Sequence, residues 1–101
     1  MSRPLITAGW PLEAFVGDIL VCTLEGAHLD AVTEIKVAPA AKGIQVRLGD
    51  PLGRAQYPVQ QSSEALTVTV EIGFQVYPGE KRMVVVSPAG ESDPLPFLVM
   101  M

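Results

Sequence analysis

The sequence has very few of the residues that build metal and redox sites. It contains one histidine and one cysteine among 101 residues. One imidazole and one thiol cannot supply the three or four ligands of a zinc site, and a lone thiol cannot form an internal disulfide. Cys22 has apolar neighbours, so we expect a small buried side chain and not a reactive thiol. The sequence predicts no cofactor and no metal ion.

Long apolar runs are also missing. The longest covers residues 97–101, far short of the ~20 residues that a membrane-spanning helix needs. Pro4, Pro11 and the acidic Glu13 interrupt the N-terminal segment, which therefore lacks the apolar core of a secretory signal. We predict no membrane span. The chain is expected to be cytoplasmic or part of an assembled particle, or extracellular if it is a segment of a longer secreted protein.

Clustered positive charge is absent too. Seven lysines and arginines are scattered among eleven acidic residues, and the formal net charge is -4. Because nucleic acids are bound by clustered cations, we predict no nucleic-acid partner.

Groups that could act in catalysis are also scarce, because the sequence has a single histidine and a single cysteine. His28 is the only imidazole that could act as a base. Asp30 follows two residues later, and Ser62 or Ser63 could approach only through folding, but nothing in the sequence places these groups in a catalytic arrangement. The aspartates lack the spacing of an EF-hand, although a calcium site assembled from separate loops stays open. We predict that the protein is not an enzyme and has no catalytic residues.

Glycine and proline, nine of each, are spread along the whole chain. They leave little room for helices, and the short β-branched segments between them are typical of an all-β sandwich or barrel. Residues 65–72 form the clearest strand, because apolar and polar side chains alternate. A helical turn over 12–15 and a long loop over 49–63 are expected. The other predicted strands are 5–7, 17–25, 35–37, 44–48, 83–86 and 97–101.

The order of these segments resembles the IPT/TIG family of immunoglobulin-like domains over nearly the whole chain. The resemblance implies an immunoglobulin-like β-sandwich, and the chain length, the charge and the number of predicted segments make it one acidic domain of about seven strands over residues 1–101. The resemblance also implies a non-enzymatic role in adhesion, spacing, DNA-binding assemblies or carbohydrate-associated enzymes. Gly26 and Gly90 suit turns that need a positive φ. The segments that carry the likeness are PLI at 4–6, GDILVCTLEG at 17–26, VTEIKV at 32–37, LTVTV at 66–70, PGEKRMVVV at 78–86, SPAG at 87–90 and FLV at 97–99.

In the strand register of that family, Met83, Val85, Phe97 and Val99 face the core. Alternation then turns four apolar residues outward on two neighbouring strands, as one continuous patch. Such patches mark interfaces, so we predict a structural protein that docks on a protein partner or forms a homo-oligomer, such as a small subunit decorating a virion or filament. Two alternatives remain open: the loop over 49–63 or the C-terminal residues could cover these strands, or the strand register could be shifted by one residue. The patch consists of Val84, Val86, Leu98 and Met100, with Lys81, Arg82 and Thr67 at its rim.

Carbohydrate binding is the alternative function. Trp10 and Tyr57 lie in predicted loops, where aromatic rings could stack on sugar faces. The protein would then be a carbohydrate-binding or spacer module associated with a polysaccharide-acting or cell-surface protein. Against this, Trp10 could pack beside Pro11 and Phe15 over one end of the sandwich. Phe74, Tyr77 and Phe97 are expected in the core, which leaves few rings for a sugar platform.

Overall fold

Strands make up most of the chain in a computed structural model, which describes residues 2–38, 43–54 and 58–101. Among the described residues, 58% lie in strands and 3% in helix, which confirms the all-β prediction. One 3₁₀ turn, Leu29–Ala31, is present in the described residues. The strands are β1 Leu5–Trp10, β2 Glu13–Phe15, β3 Ile19–Ala27, β4 Glu34–Ala38, β5 Ile44–Leu48, β6 Ala65–Ile72, β7 Gly79–Ser87, β8 Gly90–Glu91 and β9 Leu95–Met100.

The strands form two sheets. The first sheet has the order β1-β3-β6-β5, and the second has the order β2-β9-β7-β4 with β8 paired to β7. All pairs are antiparallel except β2 with β9, which run parallel. The inner faces of the two sheets pack against each other as a β-sandwich, as predicted.

The described residues contain nine strands, where about seven were predicted. The two additional strands are β2 and the two-residue β8, which pairs with β7. The first strand is also longer than predicted and continues to Trp10. The helical turn predicted over 12–15 is wrong, because Glu13–Phe15 form β2. A single turn gains too little from its own hydrogen bonds to persist. Backbone pairing with β9 is available instead, and it is extended by a hydrogen bond from Leu98 N to Leu12 O of 2.9 Å.

The core between the sheets is almost entirely aliphatic. Met83 and Val85 of β7 and Phe97 and Val99 of β9 face inward, as the register implied by the family resemblance predicted. β3 and β6 are the central strands of the first sheet, because each is paired on both sides. The fully buried apolar side chains of the first sheet are Cys22, Leu24, Leu66, Val68 and Val70.

Cys22 is buried in this core, as the sequence predicted. Its Sγ lies 3.1 Å from the carbonyl oxygen of Pro11, and burial raises the pKa of the thiol from 9.0 to about 12. The unfolded chain therefore loses this proton at lower pH than the folded protein. We expect the free energy of unfolding to fall as the pH rises above about 9, up to about 12.

Urea unfolding at several alkaline pH values, in the wild type and in Cys22→Ala, would measure this contribution. The difference between the two proteins isolates the thiol from lysines and tyrosines that titrate in the same range. The same slope against pH in both proteins would contradict the prediction.

Gly26 does not make the turn that the sequence predicted. It lies inside β3 and is not among the glycines with positive φ, whereas Gly90 has φ 136° as expected. The physical reason for glycine at position 26 is a close approach. A Cβ atom there would clash with the carbonyl oxygen of Leu5 on β1.

Candidate binding surfaces

The four residues of the predicted patch all belong to the outer face of the second sheet. Val84 and Val86 on β7, and Met100 on β9, are half-buried, and Leu98 on β9 is 40% exposed. Each alternates with a buried neighbour on its own strand. The prediction of which side chains turn outward is therefore consistent with the burial pattern.

The strand register divides these residues into two separate pairs. Leu98 lies opposite Glu80, so Val84 is four residues further along β7, or about 13 Å at the rise of an extended strand. Arg82 faces outward between them, 3.7 Å from Glu80. The single continuous patch that the sequence predicted is therefore not formed.

A surface ion pair crosses the outer face of β7 at Val84 and Val86. Lys36 lies beside Val84 on β4, and Glu91 lies beside Val86 on β8. Lys36 Nζ and Glu91 Oε2 are 2.9 Å apart, and this hydrogen bond, followed by the charge of Glu91, raises the pKa of Lys36. Charged side chains therefore lie over the half-buried valines.

Two of the three predicted rim residues do not belong to this face. Lys81 points toward the core and is 8% exposed. Thr67 is buried on the outer side of the first sheet, where the segment before β6 covers it. Its Oγ1 accepts a hydrogen bond from Gln60 N at 2.9 Å, and its N donates to Gln60 O at 2.8 Å. Arg82 alone remains beside the outer apolar residues.

Leu98 and Met100, the other pair of the predicted patch, lie beside Phe15, which the sequence analysis did not include in the patch. Phe15 of β2 lies directly beside Met100 in the parallel pairing, and Leu98 lies one position along the same face of β9. Phe15 is 51% exposed. We call Phe15, Leu98 and Met100 the β2–β9 surface. Residues 13–15, if read as a strand, place Glu13 and Phe15 on one face and Ala14 on the other. This two-residue period is the sequence signal that would have turned Phe15 outward.

Two exposed aromatic residues lie at the same end of the sandwich. Phe74 is 82% and Tyr77 85% exposed, so the expectation that they belong to the core is wrong, whereas Phe97 is buried as expected. Val76 takes the buried position in this loop. The Phe74 ring packs over Gly17, where a Cβ atom would clash with it.

Backbone hydrogen bonds place Phe74 near the β2–β9 surface. Val16 N donates to Met100 O at 2.9 Å in the second sheet, and Gly17 N donates to Ile72 O at 2.8 Å in the first. The turn that follows Phe15 therefore joins both sheets at this end. Phe74, two residues after Ile72, adds its ring to the same end.

A groove of about 550 Å³ lies on the outer face of the first sheet. Trp10, predicted in a loop, is the last residue of β1 and pairs with Thr23 of β3. Its side chain is 68% exposed, so it does not pack over the end of the sandwich as the alternative interpretation had it. Tyr57 lies outside the described residues. The lining residues are Ala8, Gly9, Trp10, Thr23, Glu25, Pro58 and Gln60.

The residue that could act as a base has no catalytic partner in the described part of the chain. His28 is exposed in a left-handed backbone conformation, with φ 58°. Leu29 N donates to Ser63 O at 3.1 Å, which brings the two loops together, but within the described residues the imidazole makes no hydrogen bond. The residues described include no group of three histidine, cysteine, aspartate or glutamate side chains that could hold a metal ion.

Comparison with models of known protein families finds no match, and comparison with curated proteins finds none either. Within the three ranges described, there is no helix with the length and apolar character needed to cross a membrane.

Proposed function

We propose that the protein is a non-catalytic interaction module of the IPT/TIG type, with an immunoglobulin-like fold. The strand order supports the immunoglobulin-like fold. In the constant-type immunoglobulin sandwich, one sheet has the order A-B-E-D and the other has C-F-G. With β1 and β2 as two parts of strand A, and β8 as an appendage of strand F, the first sheet here has the order A-B-E-D. The second then has C-F-G, followed by the second part of A.

The module docks on another protein chain through the β2–β9 surface. The observation that carries this proposal is the side-by-side placement of Phe15 and Met100 with Leu98 next along the strand. Exposed apolar patches mark interaction sites, and aromatic residues and methionine are enriched at the centre of interfaces. The exposed ring of Phe74 extends this apolar region at the same end of the sandwich.

Charged residues border the β2–β9 surface and orient the partner. Leu98 lies between Glu13 of β2 and Glu80 of β7, and Arg82 is 3.7 Å from Glu80. A polar rim around an apolar centre is the usual arrangement in non-obligate interfaces. The two glutamates make this rim mainly negative. The partner surface is therefore apolar at its centre with basic groups at its border.

Phe15→Lys tests this surface. Because Phe15 is half exposed, we expect the variant to fold and to lose the association that the wild type makes. Light scattering across a range of protein concentrations would detect self-association. A photo-reactive phenylalanine analogue at position 15, introduced in the cells that make the protein, would capture a different partner chain.

Leu52→Lys is the matched control, because Leu52 is 43% exposed and lies in the loop between two strands of the first sheet, β5 and β6, whereas β2 and β9 belong to the second. It should associate like the wild type, and the analogue at position 52 should capture nothing. A wild type that stays monomeric and forms no position-15 crosslink would contradict the docking function. Equal association of wild type and Phe15→Lys would contradict it as well.

A further inference from the structure

The groove beside Trp10 has the form of a small-molecule site. Alternation turns Ala8 and Trp10 of β1 and Thr23 and Glu25 of β3 toward it, on the outer face of the first sheet. The small side chain of Ala8 leaves space next to the indole. The volume of about 550 Å³ lies within the range of ~300 to 1,000 Å³ found for ligand pockets.

The wall opposite Trp10 is held in place by hydrogen bonds. Gln60 is bonded to Thr67 through both its backbone N and its backbone O, at 2.9 and 2.8 Å. Thr69 Oγ1 donates to Gly49 O at 2.8 Å, which fixes the start of the same loop on β6. The described parts of this loop are therefore anchored at both ends, and the position of Gln60 is set before any ligand binds.

The groove presents polar groups that have no partner of their own. In the described part of the chain, no hydrogen bond or ion pair engages the side chains of Thr23, Glu25 or Gln60. Gln60 and Thr23 can each donate and accept, and the Glu25 carboxylate accepts. These groups lie next to an indole that is 68% exposed.

We infer that the groove binds a neutral oligosaccharide. A sugar ring has an apolar face of C–H groups, which can stack on the indole of Trp10, and hydroxyl groups that both donate and accept hydrogen bonds. The mixed donors and acceptors of Thr23, Glu25 and Gln60 match such hydroxyls. An anionic sugar is disfavoured by Glu25 and by the net charge of -4.

The proposed site is independent of the β2–β9 surface, which lies on the other sheet. Either proposal can therefore fail without the other. Phe15→Lys should bind sugar as the wild type does, and Trp10→Ala should associate with protein as the wild type does.

Trp10 also provides the measurement, because it is the single tryptophan in the sequence. Intrinsic tryptophan fluorescence therefore reports on the groove alone. The wild type would be titrated with neutral cello-, xylo-, manno- and N-acetylglucosamine oligosaccharides, with sulfated and sialylated oligosaccharides, and with arginine and tetramethylammonium as cations. We expect a saturable change with at least one neutral oligosaccharide and none with the ions.

Variants measured by calorimetry complete the test. Trp10→Ala should weaken binding of that oligosaccharide by about tenfold or more, since truncating a central interface tryptophan has effects of this size. Gln60→Ala should weaken it less. Tyr77→Ala removes another exposed ring, which lies between β6 and β7 and is not part of the groove lining, and it should leave binding unchanged.

Three outcomes would overturn the inference: no response to any neutral oligosaccharide, undiminished binding in Trp10→Ala, or a response confined to the anionic or cationic probes. The cationic result would instead identify a cation–π site built from Trp10 and Glu25.

Discussion

Replacing Gly26 with alanine is expected to lower the free energy of unfolding by about 3 kcal/mol, at the upper end of the usual cost of overpacking. The added methyl group would clash with the backbone oxygen of Leu5. Backbone atoms cannot rotate away as a side chain can, so β1 must move away from β3. Gly26 N also donates to Glu64 O at 3.0 Å, which limits the movement of β3 itself.

Gly53→Ala is the comparison for this variant. Gly53 has φ 68° and open space around the position of a Cβ atom. Alanine there meets only the cost of a left-handed backbone, about 1 to 2 kcal/mol. Urea unfolding followed by circular dichroism would rank the two variants. A smaller loss for Gly26→Ala than for Gly53→Ala would show that β1 adjusts easily and that close packing of the strands is not the constraint.

Leu24→Ala is expected to lower the free energy of unfolding by about 3 kcal/mol or more, as truncation of buried leucines usually does. Leu24 is 0% exposed, and one of its methyl groups lies 2.9 Å from the position of a Cβ atom on Gly9. It therefore fills the space between β1 and the core. Alanine would leave a cavity. The hydrogen bonds within each sheet hold the surrounding strands in place, so the strands cannot move in to fill it.

Leu52→Ala provides the matched control, because the same atoms are removed from a side chain that is 43% exposed. Its effect should be about 0.5 kcal/mol or less. The measurement is again urea unfolding, with the slope against denaturant compared between variants. Similar losses for both leucines would mean that the core does not contribute to stability as its burial indicates.

Much of the fold could be predicted because strands in a sandwich carry a local signal. The bounds of β5 and β6 were predicted as they are observed, since apolar and polar residues alternate there and glycine lies nearby. β2 was missed because three residues carry too little pattern, and its pairing partner β9 is distant in sequence. The register implied by the family resemblance also predicted the inward residues of β7 and β9, except Lys81, which was predicted at the rim of the patch and points toward the core.

The candidate sites could be predicted only in part. The aromatic character of Trp10 makes it a candidate from sequence alone, and it lines a groove, but the groove depends on residues 58 and 60 from another loop. Phe74 and Tyr77 were assigned to the core because large apolar residues are usually buried. They are exposed because aliphatic side chains already fill the space between the sheets.

The sequence by itself determined the all-β class, the place of most strands and, where apolar and polar residues alternate as in β6, the two faces of the strand. These properties follow from a period of two residues and from glycine and proline, which act locally. Only the tertiary structure decided which outward residues are neighbours. The register of β7 separates Val84 from Leu98, and pairing of β2 with β9 joins Phe15 to Met100. Such pairings depend on contacts between distant segments, and alternation within one strand carries no information about them.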